Sequence, residues 1–204
     1  MRHFNLQGTY CIVSKMVAIY IFLICFASAL AKDPPTCCVP NSWQAYVLQT
    51  EKLNLDPQPF FEFFFDYTLK KEAQRFIKLA PGSAPVAGNR TVTDHNKGMR
   101  YFISPAGVCT SFSYPIPMVS PCIPDSATYL GESYIGLPNY GVAFNVWKFK
   151  EPNTKANVTI AVTQDSCTPI LEGINGPNVN TSLLFNYFSS PVSDKSVFDV
   201  PSGC

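Results

Sequence analysis

The sequence predicts an all-β domain, built as a sandwich or a partly open barrel. Three observations predict it. Short runs rich in aromatic and β-branched residues recur along the chain, each bounded by Pro, Gly, Asn or Ser. Aromatics make up 14% of the residues, with 16 Phe, 10 Tyr and 2 Trp, the large side chains that a fold with little helix needs to fill its core. Behind an apolar leader stand Cys37, Cys38, Cys109, Cys122, Cys167 and Cys204, an even set that reads as a disulfide framework of an oxidising compartment.

The leader comes first. Val17 to Ala27 carries no charge, Arg2 and Lys15 precede it, and Ala29-Leu30-Ala31 follows as an A-x-A cleavage site. This is the layout of a secretory signal peptide, and its apolar core is shorter than the ~20 residues of a membrane span. The expected organisation is a leader over 1–31 and one domain over 32–204. Cys11 and Cys25 leave with the leader.

Strands are expected at Trp43–Glu51 and Phe60–Leu69. In the second, Phe61, Phe63, Phe65 and Tyr67 share one face, while Phe60 and Phe64 share the other with Glu62, Asp66 and Thr68. Such a face serves a packed core or a lined apolar cavity, and a core is the commoner use. Further strands are expected at Ala73–Leu79, Arg100–Ser104, Val108–Tyr114, Gly141–Lys150, Asn157–Thr163, Thr168–Glu172 and Ser182–Ser189. Phe144 and Val146 of the Gly141–Lys150 run are assigned to the same apolar pocket as the Phe61–Tyr67 face. Leu69–Phe76 has helical propensity, but a turn between paired strands is preferred. A helix is expected near Ser126–Tyr134. Pro115–Pro124 holds four prolines and cannot be a central strand.

Several function classes are excluded by composition. Fifteen Lys and Arg balance fourteen Asp and Glu, for a formal net charge of +1. Without a basic stripe there is no electrostatic footprint for nucleic acid. His95 is the sole histidine after the leader, so no His-based zinc site is expected, and its polar neighbours suggest a solvated loop. Gly131-Glu132-Ser133-Tyr134-Ile135-Gly136 is one residue too long for a nucleophile elbow. No enzymatic activity is therefore expected. Asp94, Asn96 and Gly98 fail as a calcium loop because the glycine is early and Pro105 stands at position twelve. Dispersed carboxylates remain candidate calcium donors, Asp194 and Asp199 among them. Sequons at Asn89, Asn157 and Asn180 mark candidate N-glycans. Adjacent Cys37 and Cys38 are expected to pair elsewhere, since a ring between neighbours is strained.

Taken together, several motifs resemble the ependymin-related family. They are Cys37-x-x-Pro40-x-x-Trp43, Phe65-Asp66-Tyr67 with Gln74-Arg75, Gly107-Val108-Cys109, Tyr134-Ile135-Gly136 with Val146-Trp147, and Cys167-Thr168-Pro169. The tail from Ser193 to Cys204 carries the most specific match, with Lys195 standing where many relatives have Pro. The resemblance implies two antiparallel sheets in a half-open barrel with a hydrophobic pocket, like bacterial lipoprotein carriers. It implies a secreted or lysosomal glycoprotein, often a homodimer, that takes a lipid-like hydrophobic ligand or responds to calcium in contact with the extracellular matrix. It further implies pairing of Cys37 with Cys167, Cys109 with Cys204 and, as the remaining pair, Cys38 with Cys122.

Overall fold

The computed structural model describes residues 33–51, 60–78, 82, 84, 86–137, 140–177 and 179–204; the expected leader lies outside them. Eleven strands run in chain order: β1 Ser42–Glu51, β2 Phe60–Asp66, β3 Lys71–Lys78, β4 Val86–Asp94, β5 Met99–Ile103, β6 Cys109–Ser113, β7 Thr128–Ile135, β8 Val142–Lys150, β9 Asn157–Thr163, β10 Pro169–Gly176 and β11 Val179–Ser189. They form one antiparallel sheet in the order β6-β5-β4-β3-β2-β1-β11-β10-β9-β8-β7. The expected pair of sheets is thus two meanders, β1–β6 and β7–β11, joined where β1 pairs with β11. The sheet does not close, so β6 and β7 are its edges.

Local chemistry explains the first hairpin. The Asp66 carboxylate is fully buried and accepts from the backbone N–H groups of Thr68 and Leu69, both at 3.0 Å. That locks the turn after β2, where Lys70 takes φ 54°. Lys71–Phe76 then continues as β3, so the preferred turn stands one step earlier than a helix over Leu69–Phe76 would have run.

Two elements depart from expectation. The segment near Ser126–Tyr134 is not a helix; Thr128–Ile135 is strand β7, paired along its length with β8. Gly131, at φ 129°, sits where the register with β8 shifts, and that bulge disrupts the period-two pattern. Strand β4 was not expected either. Its Ala87-Gly88-Asn89 stretch carries weak strand formers, and pairing with β3 and β5 supplies what propensity lacks.

The convex side of the first meander carries a core. Phe64, Ala73, Val92 and Tyr101 stand in register across β2, β3, β4 and β5, and all four are buried. The C-terminal tail covers them with Val192, Val197 and Phe198. A 3-10 turn over Lys195–Phe198 holds this cover, with the Asp194 carboxylate accepting from the Ser196 N–H at 2.9 Å. The Arg90 guanidinium donates to the carbonyls of Ser196 and Asp199, at 3.2 and 2.8 Å. Gln44 Oε1 accepts from the N–H and hydroxyl of Ser193. Lys195 Nζ lies 3.8 Å from Asp66.

Three disulfides join Cys37 to Cys167, Cys38 to Cys122 and Cys109 to Cys204, the pairs that the family resemblance implies. The last ties the chain end to β6 across a sequence separation of 95, a closure of about 4–5 kcal/mol in the chain-entropy model. Cys38–Cys122 fastens the Pro-rich segment to the chain before β1, together with Val39 N–H to Pro121 O at 2.9 Å and Ile123 N–H to Cys37 O at 3.0 Å, while Cys37–Cys167 ties that chain to the turn between β9 and β10. The Pro115–Pro124 stretch contributes no strand to the sheet.

Phe198 is 2% exposed and central to the tail's cover. Truncating it leaves a void that the tethered tail cannot close. Phe198→Ala is expected to lower unfolding free energy by about 3–5 kcal/mol, read by urea denaturation of the oxidised protein.

Candidate functional site

A cavity of about 550 Å³ opens on the concave side of the sheet, within the usual range of small-molecule sites. Strand alternation builds it. Phe61, Phe63 and Phe65 of β2 line it, beside Val47 and Trp43 of β1. The opposite wall comes from the second meander: Phe149 of β8, Ile160 of β9, Ile174 of β10, and Leu183 and Phe185 of β11. Trp43 anchors the aromatic side, with ring centroids 5.3 Å from Phe63, 5.5 Å from Phe65 and 5.3 Å from Phe188. Val119 to Ile123 of the Pro-rich segment complete the lining. Met118 and Ile123 of that segment are themselves buried, so it packs onto the concave side as a fixed piece.

The cavity takes in part of the expected pocket face. Phe61, Phe63 and Phe65 line the cavity. Tyr67 lies beyond the wall, stacked on Phe65 at 6.3 Å with Lys70 Nζ 3.0 Å above its ring. Phe144 and Val146 are not in the lining. On β8 the buried Trp147 and the lining Phe149 share one face, so the even-numbered Phe144 and Val146 fall on the other. Trp43, Phe149, Leu183 and Phe185 were missed as lining. Their alternation was legible, but which parity faces inward is set by pairing with neighbours.

Polar groups interrupt the apolar wall at Gln49, Glu72, Gln74, Arg100, Glu172 and Thr181. Glu72 of β3 and Glu172 of β10 belong to opposite meanders. Glu172 is partly buried. Burial, and then the Glu72 charge, push its carboxyl up to about 7. His95, expected in a solvated loop, has a side chain only 5% exposed. Its Nδ1 lies 2.8 Å from the Ile116 carbonyl, which can only accept, so Nδ1 carries a proton. Nε2 lies 3.6 Å from Glu72. Burial opposes charging of the ring, but the Glu72 carboxylate and the Ile116 carbonyl outweigh it and raise its pKa. The residue is buried because the Pro-rich segment folds over it. It connects that segment to the cavity wall. Its partners are not a nucleophile, and Ser133 of the G-x-S-x-x-G stretch lies exposed within β7.

Asp194 and Asp199 stand at the two ends of the tail's 3-10 turn. The Asp194 carboxylate caps the tail's turn, and the positive charges of Arg75 and Arg90 bear on it. The Asp199 carbonyl is taken by Arg90. Among the described residues no group of three or more His, Cys, Asp or Glu side chains could hold a metal ion. The sequon residues Asn89, Asn157 and Asn180 are all exposed. Asn157 and Asn180 flank Asn175 in register across β9, β10 and β11, beside a shallow polar groove that Lys148, Thr159 and Ser182 also line.

A sequence model of the ependymin family matches residues 85–204. No curated protein matches the chain. Among solved structures, an uncharacterized conserved protein from Thermus thermophilus is similar at 14% identity and a TM-score of 0.46, over 79% of this chain and 87% of that one.

The raised Glu172 carboxyl carries a stability consequence. Below about pH 4.5 it is protonated in both folded and unfolded chains. As pH rises through 7 the folded protein must ionise a carboxyl that burial disfavours, and stability falls. Glu172→Gln is therefore expected to stabilise the ligand-free protein at pH 8 by about 1–3 kcal/mol, with no difference near pH 4. Urea titrations at the two pH values check it.

Proposed function

This chain belongs to the ependymin family, and we propose that it is a secreted protein that holds a hydrophobic, lipid-like ligand in the cavity between its two meanders. The observation that carries the reading is the cavity itself. It offers about 550 Å³ bounded chiefly by Trp43, Phe61, Phe63, Phe65, Phe149 and Phe185. A space of that size with apolar walls and a few polar groups is the common form of a small-molecule site.

The surroundings support retention rather than chemistry. One wall rests on a sheet clamped from behind by the tail, the Pro-rich cover is stapled to the chain before β1 by Cys38–Cys122, and Cys37–Cys167 ties that chain to the second meander. A preorganised cavity of this kind binds without first ordering its own walls. Three disulfides suit an extracellular compartment. Secretion through the leader and N-glycans at the exposed Asn89, Asn157 and Asn180 complete the reading.

Native mass spectrometry of the glycoprotein purified without detergent is expected to show an added lipid mass. Leu183→Trp, which fills the cavity from β11, is expected to abolish that mass while the protein stays folded. A wild-type protein with no added mass, and no uptake of an offered alkyl chain, contradicts the proposal.

A further inference from the structure

We propose that the preferred ligand is an amphiphile with an amine-type cationic head, held between Glu172 and Glu72 with its hydrocarbon tail along the aromatic wall. The inference rests on the hydrophobic-ligand reading above and adds the chemistry of the head.

Glu72 and Glu172 reach the same cavity from opposite meanders. Both carboxylates belong to the lining of one cavity of about 550 Å³. Their surroundings differ. Glu72 has His95 at 3.6 Å. The Glu172 carboxylate has no hydrogen bond or ion pair among the described residues. The cationic residue of the lining, Arg100, is already engaged: its Nε donates to Thr93 Oγ1 at 2.8 Å, and its guanidinium lies 3.7 Å from the Tyr114 ring centroid. The bulk of the lining is apolar and offers no counter-charge.

The Glu172 carboxyl has neither a paired counter-charge nor a bonded donor. An ammonium head supplies both. It carries three N–H donors, enough to serve Glu172 and Glu72 together, and charge-assisted bonds are roughly twice as strong as neutral ones. An anionic head would bring a third negative charge to the same place. A hydroxyl head supplies a single donor and no charge.

Three probes of one chain length separate the heads: dodecylammonium, dodecanol and dodecanoate, titrated calorimetrically into the full glycoprotein at pH 7.5. Dodecylammonium is expected to bind about tenfold tighter than dodecanol, with dodecanoate weakest. Glu172→Gln is expected to remove the tenfold preference, so that dodecylammonium and dodecanol bind the variant within about twofold of each other, and retained binding of dodecanol shows that the variant is folded. Lowering the pH to 5 is expected to weaken dodecylammonium binding to the wild type more than to the variant. Glu72, His95 and Arg100, the other charged groups facing this place, are present in both. Equal affinities for the three probes, tightest binding of dodecanoate, or an ammonium preference that survives Glu172→Gln overturns the assignment of the head. Failure of all three probes to bind overturns the hydrophobic-ligand reading along with it.

Discussion

Everything in this molecule depends on the pairing of β1 with β11. The two strands lie more than a hundred residues apart, yet their register runs from Gln44 opposite Ser189 to Glu51 opposite Thr181. Without it there are two separate meanders, each with an apolar face open to water. With it there is one sheet, and the concave faces of both halves bound a shared cavity. Such long-range pairing carries a large loop-closure entropy before it returns any contact energy. The disulfides offset part of that in the unfolded chain, Cys37–Cys167 with a sequence separation of 130.

The two faces of the first meander are used differently, and β2 shows how. Its even-numbered Phe64 enters the tail-covered core, while Phe61, Phe63 and Phe65 face the cavity. One strand of seven residues therefore serves both a closed core and an open site. The tail holds the convex face firmly: Phe198 and Val197 seal it, Arg90 and Gln44 bind its backbone, and Cys204 anchors its end. A sheet backed in this way keeps its concave side in shape without filling it.

Much of this was legible in the residues. Period-two runs marked β1, β2, β8, β9 and β11, and the aromatic face of β2 was visible from spacing alone. The same rule failed wherever parity or pairing decided the outcome. Phe144 and Val146 were assigned inward, but on β8 the partner strands turn Trp147 and Phe149 to the inside. The bulge at Gly131 masked β7 as a helix, and β4 was hidden by Ala87, Gly88 and Asn89. His95 looked solvated because its neighbours in sequence are polar; its neighbours in space are Ile116 and Glu72, brought there by the Pro-rich segment. Glu72 and Glu172 stand far apart in the chain, and only the β1–β11 seam brings them to one cavity.

The central claim is that the concave side encloses a site for an alkyl chain. The most direct measurement is a crystal structure of the protein soaked with dodecanol brominated at its terminal carbon, read at the bromine absorption edge. The account predicts one dominant bromine peak among Phe61, Phe63, Phe149 and Phe185. A cavity collapsed onto its own side chains, or bromine bound only on the convex face, would contradict it.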